Sequence, residues 1–359
     1  MIEIKRCPEC DIPEPFAQGQ MWLNNGDIVQ RVNPRARIAF VERENLDPLF
    51  ANIGDIIGVP IEPFIVNIAA RGTERFMRQL IPDEAKEMIQ AKSMQPAAFA
   101  ETILTYCHII GYGKYEFVDS RYERDPDDYA VIRIHDPFSV PEAAGAIAGV
   151  LSAMVGGEHA VSYEEISPGL YEFTTRWTEY PEVYKERLQI QEYVHKDEDI
   201  ELEHCGTCGC PRALSAYRWD LDNGTIKQKI TGKRMTTLGP ELLDPVFTAL
   251  EQELGEAIPR AVVEAQRRFI RTGIYTLDVM EAEEDLRTQL ALRGLGNLHY
   301  FKIDEQGAHL DLHNPCLHLI VAGMVQGNFE MAFGVESDIE WELNGQGNLE
   351  VQVTPKTSM

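Results

Sequence analysis

Four cysteines carry the clearest chemistry in this sequence. Cys7-Pro-Glu-Cys10 and Cys205-Gly-Thr-Cys208 are two Cys-x-x-Cys pairs, and each cysteine of the first lies 198 residues before its counterpart in the second. Two such pairs supply the four thiolates of a tetrahedral zinc site, a closed shell that holds structure and leaves no position for a substrate. One structural zinc on Cys7, Cys10, Cys205 and Cys208 is the expectation. The competing chemistry is a redox dithiol, which needs a helix N-terminus just after the first cysteine to lower its pKa. Pro13 and Pro15, in a connector from Asp11 to Phe16 expected to be non-helical, oppose that after the first pair. Cys210 is a spare thiol or an alternative ligand. Cys107 and Cys316 stand alone among apolar residues and read as small buried hydrophobes.

A second group of candidates sits at strand ends and on strand faces. His135 and His313 each close a strand just before a proline, in His135-Asp136-Pro137 and His313-Asn314-Pro315. His309, Asp311 and His313 alternate, so they share one face. That face is open to a metal reading. A plain polar face is favoured, because Val131 and Arg133 stand at the matching earlier positions. Tyr163 and Trp341 read as sheet core or as the wall of an aromatic ligand pocket. Together Tyr163, Trp341, His135 and His313 are the ligand-binding candidates. No nucleophile with a neighbouring base stands out, and no glycine fingerprint for a dinucleotide is present. Binding is favoured over catalysis, and an enzyme is the least favoured reading.

The elements that must position these residues come in two copies. Asn24-Asn25-Gly26-Asp27 lies over Asp222-Asn223-Gly224-Thr225 at the cysteine offset, and Leu46-Asp47-Pro48 lies over Leu243-Asp244-Pro245 one residue closer. Gly111-Tyr-Gly113 matches Gly294-Leu-Gly296, and Gly145 and Gly149 match Gly323 and Gly327. Internal similarity on this scale means two copies of one unit. Each copy begins with a cysteine pair and a β-hairpin turning on Asn-Gly. Apolar residues at helical spacing follow, then alternating strands, an Ala/Gly-rich helix and a last hairpin. The fold class is α+β: two helices-then-antiparallel-sheet domains, each headed by a Cys-x-x-Cys hairpin. The expected boundaries are 1–44, 45–176, an acidic linker at 177–204, 205–241 and 242–359. Tyr184 to Val194 is a candidate helix in that linker, and the run from Lys196 to Glu203 reads as a solvated spacer.

Helices, Gly-x-Gly, strands, an Ala/Gly helix and a closing hairpin resemble the 4-vinyl-reductase-type, or hydrocarbon-binding, domain. Its fold relatives are the ligand-binding domains of NO-signalling proteins and transport-particle subunits of the TRAPP class. The resemblance covers roughly 45–176 and 242–354. It implies a pocket for an apolar, phenolic or tetrapyrrole molecule between helices and sheet, and a dimer-like pairing that a tandem chain would imitate. The zinc site of the aromatic-sensing members, Glu-x-x-Cys with a further cysteine, is missing. Tyr163 and Trp341 stand near the Glu position, and Ile166 and Asn344 near the Cys position. Reductase activity is not implied.

Composition narrows the class. At 359 residues, 44% apolar and 25% charged, the chain suits two globular domains. The net charge of −25 opposes nucleic-acid binding, which needs a clustered basic surface. No apolar run approaches the ~20 residues of a membrane span, and the start lacks a signal-peptide core. The resulting expectation is a cytoplasmic binding protein for a small apolar, aromatic or tetrapyrrole-like molecule, working as sensor, carrier or accessory factor. A protein partner or homo-oligomer is compatible with that; membrane and nucleic-acid partners are not expected. The alternative is a structural or assembly subunit without a ligand of its own.

Overall fold

The structure is a computed structural model that describes residues 4–178, 193–240, 243–273 and 283–356. The candidate helix at Tyr184–Val194 falls mostly outside them. No helix among the described residues is long and apolar enough to cross a membrane. The chain is α+β. In order it runs α1 (Glu14–Gly19), β1 (Gln20–Trp22), β2 (Ile28–Gln30), β3 (Arg37–Glu42), α2 (Arg43–Ile57), α3 (Glu62–Leu80), α4 (Asp83–Gln90) and α5 (Ala97–Ile109). Then come β4 (Lys114–Arg121), β5 (Tyr129–His135), α6 (Val140–Val155), β6 (His159–Ser167) and β7 (Leu170–Trp177). The second copy starts with a 3₁₀ turn at Arg212–Ala216, followed by β8 (Tyr217–Asp220), β9 (Thr225–Gln228) and β10 (Arg234–Leu238). It continues with α7 (Asp244–Leu254), α8 (Ala257–Ile270), α9 (Glu283–Leu292), β11 (Asn297–Asp304), β12 (Gly307–His313), α10 (His318–Phe333), β13 (Ser337–Leu343) and β14 (Leu349–Pro355).

The connector after Cys10 departs from expectation, because Glu14–Gly19 is helical. Pro15 sits in its first turn, where a missing N–H costs nothing and a fixed φ helps. The helix starts well after the cysteine pair, so it offers no N-terminus to Cys7.

Two compact units emerge: residues 62–191 with 218–236, and residues 1–61 with 192–217 and 237–359. In the first of these, the sheet order is β4-β5-β7-β6, antiparallel throughout. Helix α6 packs on α3 because two glycines let the backbones meet. A Cβ on Gly145 would fall 2.5 Å from both the Ala69 Cβ and the Val66 carbonyl. The β8–β9 hairpin of the second copy belongs here. Trp219 Nε1 donates to the Ile109 carbonyl (3.1 Å), and Arg234 Nη2 to the Asp136 carbonyl (2.9 Å).

The other unit repeats this arrangement with the copies exchanged. Its sheet order, β11-β12-β14-β13, is again first, second, fourth, third. Helix α10 meets α8 through Gly323 and Gly327. The β1–β2 hairpin of the first copy packs on this body: Trp22 Nε1 donates to the Leu292 carbonyl (2.9 Å). Arg37, at the position equivalent to Arg234, donates to the Gly294 and Pro315 carbonyls (3.3 and 3.1 Å). Helix α2 comes across too, with Asn52 Nδ2 donating to the Ala265 carbonyl at 3.2 Å. Each hairpin therefore sits on the helix-and-sheet body of the opposite copy. This explains the Gly-x-Gly motifs: a Cβ on Gly294 would meet the Ile38 carbonyl at 2.5 Å, and one on Gly111 the Met235 carbonyl at 2.6 Å.

The acidic end of the linker, with His195 before it, is not a free spacer. His195 Nδ1 lies 2.6 Å from Asp27 Oδ2 and its Nε2 2.8 Å from the Pro34 carbonyl. Ile200 is buried, and its N–H donates to the Asn24 carbonyl (2.8 Å). The run is a strap laid on the first-copy hairpin, held there by these fixed partners.

Candidate metal centre

The two cysteine knuckles lie in one unit and have the same local fold. The Asp11 N–H donates to the Cys7 carbonyl and the Gly209 N–H to the Cys205 carbonyl, both at 2.9 Å. Asp11 and Gly209 both take positive φ, 59° and 75°, which turns the chain back under the sulfurs. Each knuckle closes with a second bond, Cys7 N–H to Ile12 carbonyl and Cys205 N–H to Cys210 carbonyl, both 2.8 Å.

The knuckles face each other so that equivalent residues pair. Cys7 Sγ is 3.7 Å from Cys205 Sγ, and Cys10 Sγ is 3.3 Å from Cys208 Sγ. Thr207 Oγ1 donates to Glu9, its counterpart. All four sulfurs lie within 4.8 Å of one another, and Cys7, Cys10 and Cys205 are buried. A disulfide needs an S–S bond of about 2.05 Å, so these are four free thiols. Four thiolates around Zn²⁺ at about 2.3 Å stand roughly 3.8 Å apart, close to the separations present. The group can hold a metal ion.

Charge makes the same point. Burial pushes the Cys7 thiol up, but the N–H groups of Cys10 and Glu9 and bonds within the cluster outweigh it and bring it down to about 7. Burial and the neighbouring sulfurs of Cys208 and Cys7 hold Cys10 far above the ordinary thiol range. A metal ion would bind such thiols as thiolates and release their protons.

Cys210 is not among the clustered ligands. It stands where the first knuckle has Ile12, and both residues are buried. It fills the core, and burial pushes its thiol up to about 12. Cys316 is buried as well.

In each sheet the two ligand candidates lie on opposite faces. Tyr163 pairs with Phe173, which pairs with Ile132, so Tyr163 is on the inner face of its sheet. His135 lies on the outer face with Arg133, half-exposed, 3.9 Å from Glu116. Trp341 pairs with Val351, which pairs with Leu310 on the inner face, while His313 is on the outer one. Both aromatics reach a helix start: Tyr163 donates to Glu62, and Arg260 stacks over Trp341 at 5.7 Å. His313 meets Glu198 of the strap and His299.

A polar group that the sequence did not single out is Tyr115. It points to the inner face of its sheet, paired with Ile134. It is 6% exposed, and its hydroxyl has no hydrogen-bond partner among the described residues. Burial, with Cys107 and Tyr112 nearby, holds its phenol well above the ordinary range. Burial likewise pushes the Cys107 thiol up to about 12.

No family model matches the chain, and no curated protein matches it. Solved structures that resemble part of it are H-NOX domains. One, described as "Probing the function of heme distortion in the H-NOX family", is 17% identical, covering 34% of this chain and 74% of that one, with a TM-score of 0.25. A Cs H-NOX mutant carrying the unnatural amino acid 4-cyano-L-phenylalanine is 16% identical over 34% and 76%, with a TM-score of 0.25. A mutant of T. tengcongensis H-NOX is 15% identical over the same shares, with a TM-score of 0.24. At these values the likeness carries no statement about function.

Proposed function

We propose that this is a cytoplasmic small-molecule-binding protein whose ligand, apolar or aromatic, sits in the unit of residues 62–191, between α5 and the inner face of β4 and β5. The Cys7/Cys10/Cys205/Cys208 group would hold one structural zinc that fixes the frame of the other unit. The observation that carries the ligand reading is the buried, unpartnered hydroxyl of Tyr115. Leaving such a group unsatisfied costs about 1–3 kcal/mol, and native interiors rarely keep one without a water or ligand.

The surroundings support an apolar guest. Helix α5 is rich in apolar residues, yet only Ile109 of it is buried. Phe99, Ile103 and Cys107 recur at four-residue spacing and so share one side of it. Phe99 and Ile103 rest, partly buried, against the cluster of Ile81, Ala85, Ile89, Ala153 and Met154. The other unit differs. Leu298 stands where the first copy has Tyr115, and Leu286, Leu290 and Leu292 of α9 are all buried. The helix beside Tyr115 is largely part-exposed, whereas its counterpart beside Leu298 buries its leucines, which suits a frame.

Native mass spectrometry of the protein as isolated is the test, followed by titration with 2-naphthol as a phenolic probe. One ligand per chain is expected. Tyr115→Phe should weaken probe binding by roughly 5- to 15-fold, the worth of one buried hydrogen bond. Absence of both a copurified molecule and measurable probe binding would defeat the reading.

A further inference from the structure

Away from the cysteines, the outer face of the β11–β14 sheet carries a second group of ligating side chains. His313 ends β12 and is paired with Asn297. The register then slips between Leu298 and Tyr300, leaving His299 as the extra residue of a β-bulge. A bulge re-aims a side chain. In regular alternation, His299 would follow Leu298 by turning to the opposite face, and Tyr300 would turn back. Here His299 and Tyr300 are both exposed, while Leu298 and Phe301 are buried. His299 thus keeps the outer face that alternation gives it, the bulge turns Tyr300 outward as well, and the His299 ring lies beside that of His313, centroids 3.6 Å apart.

The strap supplies the third group. Glu198 Oε2 lies 2.8 Å from His299 Nε2, and its Oε1 lies 3.2 Å from His313 Nδ1. Asn314 Nδ2 donates to Oε1 at 3.0 Å, and Asn297 Nδ2 donates to Oε2, so the carboxylate is held in place. The ligand atoms of Glu198, His299 and His313 lie within 4.8 Å of one another.

The site is short of positive charge. Glu198, Asp199 and Asp311 bring three carboxylates, and Arg287, paired with Asp199, brings one cation. Asp311 Oδ1 is buried without a hydrogen-bond partner among the described residues, 3.8 Å from His313 Nε2. A metal on His313 Nδ1 would keep the proton on Nε2, facing that carboxylate, as outer-shell carboxylates do for ligating histidines. Among the described residues the first copy has no such set. Glu116 stands where His299 would be, and Lys114 Nζ, 2.6 Å away, neutralises it.

We propose that Glu198, His299 and His313 form a second metal site, for a borderline divalent cation such as Zn²⁺ or Co²⁺. Two imidazoles and one carboxylate suit these ions. The two rings are nearly parallel, 17° apart, so capture turns one of them about its Cβ–Cγ bond to aim both nitrogens at one point. Three protein ligands leave a position for water or an exchangeable anion. The ion would fasten the strap between the copies to the sheet of the second copy. This site is independent of the ligand reading above.

The test uses the full chain, dialysed against a weak chelator that leaves thiolate-bound metal in place, then titrated with Co²⁺. Wild type should take up one further equivalent, with d–d absorption free of sulfur-to-metal charge transfer. His299→Gln and Glu198→Gln should each lower affinity for that equivalent at least tenfold while the thiolate-bound metal and the melting temperature stay near wild type. No uptake beyond the cysteine-bound metal would overturn the proposal. So would a further equivalent that binds the folded His299→Gln protein as tightly as wild type.

Discussion

Cys10 Sγ and Cys208 Sγ are 3.3 Å apart in space and 198 residues apart in sequence. Cys7 and Cys205 show the same sequence separation at 3.7 Å. Pairing of each residue with its own counterpart is the signature of a local twofold relation between the knuckles. A metal on that axis would close a loop of almost the whole first copy. Closure of a long loop removes entropy from the unfolded chain, so metal binding is coupled to folding. Protein purified without chelator should carry one zinc that resists weak chelators. Cys205→Ser should abolish it and lower the melting temperature by several degrees, read by elemental analysis and calorimetry. A Cys205→Ser protein with unchanged metal content would contradict the assignment.

The exchanged hairpins make a second prediction. Gly26 has φ 80°, and a Cβ there would fall 2.4 Å from the Gly296 carbonyl; Gly224 has φ 59° and would meet the Gly113 carbonyl at 2.0 Å. Backbone blocks the added atom in both places, so neither can yield as a side chain would. Gly26→Ala and Gly224→Ala should each cost about 2–4 kcal/mol, strain plus overpacking. Gly58, also at positive φ but in open space, should cost about 1 kcal/mol as alanine. Urea denaturation separates these. Equal costs at Gly26 and Gly58 would mean the hairpin does not pack where described.

Much of this architecture was legible in the residues. Gly58 ends α2 in a left-handed cap, and Gly169 turns β6 into β7, because only glycine takes those φ values cheaply. The sheet faces followed from alternation, and the cysteine frame from a constant offset. The exchange of hairpins left no trace, since the same apolar Ile28 and Ile226 would fit either copy's body. Pro15 misled because proline breaks a helix interior but suits a first turn. The His299 site was hidden because the pairing that brings His299 of one strand beside His313 of the next cannot be read from either strand alone. Glu198 looked like one more charge in an acidic run, since sequence shows no partner 101 residues away.

Asp244 predicts a pH effect. Burial raises its carboxyl from the ordinary value to about 6, against the Tyr193 hydroxyl, which donates at 3.2 Å, and the Arg37 charge. An acid whose folded pKa exceeds its unfolded value binds its proton more tightly when folded. The folded state gains from it at low pH, and that gain is lost as pH rises from about 4 through about 6. Asp244→Asn keeps the acceptor for Tyr193 and removes the charge. It should stabilise the protein by about 1–3 kcal/mol at pH 8 and leave it near wild type at pH 4. Melting curves across that range check this, and a stabilisation that grows toward acid would be the wrong sign.

The last prediction concerns a buried ion pair within the unit that holds the metal centre. Arg293 Nη2 pairs with Glu42 at the end of β3, with both side chains under a tenth exposed. Arg293 Nε also donates to the Phe40 carbonyl (3.2 Å), and the Phe40 N–H returns a bond to the Arg293 carbonyl at 2.9 Å. The pair joins a first-copy strand to the Gly294 turn of the second copy, and the equivalent position in the other copy is the apolar Ile110. Removing one partner strands a charge in the interior and should cost about 3–5 kcal/mol, while replacing both by apolar groups of like volume costs much less. Glu42→Leu and Arg293→Met should each be severely destabilised, and the double variant should be more stable than either single one. That sign in a double-mutant cycle, measured by urea denaturation, distinguishes a desolvated pair from a surface contact. Additive losses would show that water reaches the pair and that it contributes little to holding the exchanged strand in place.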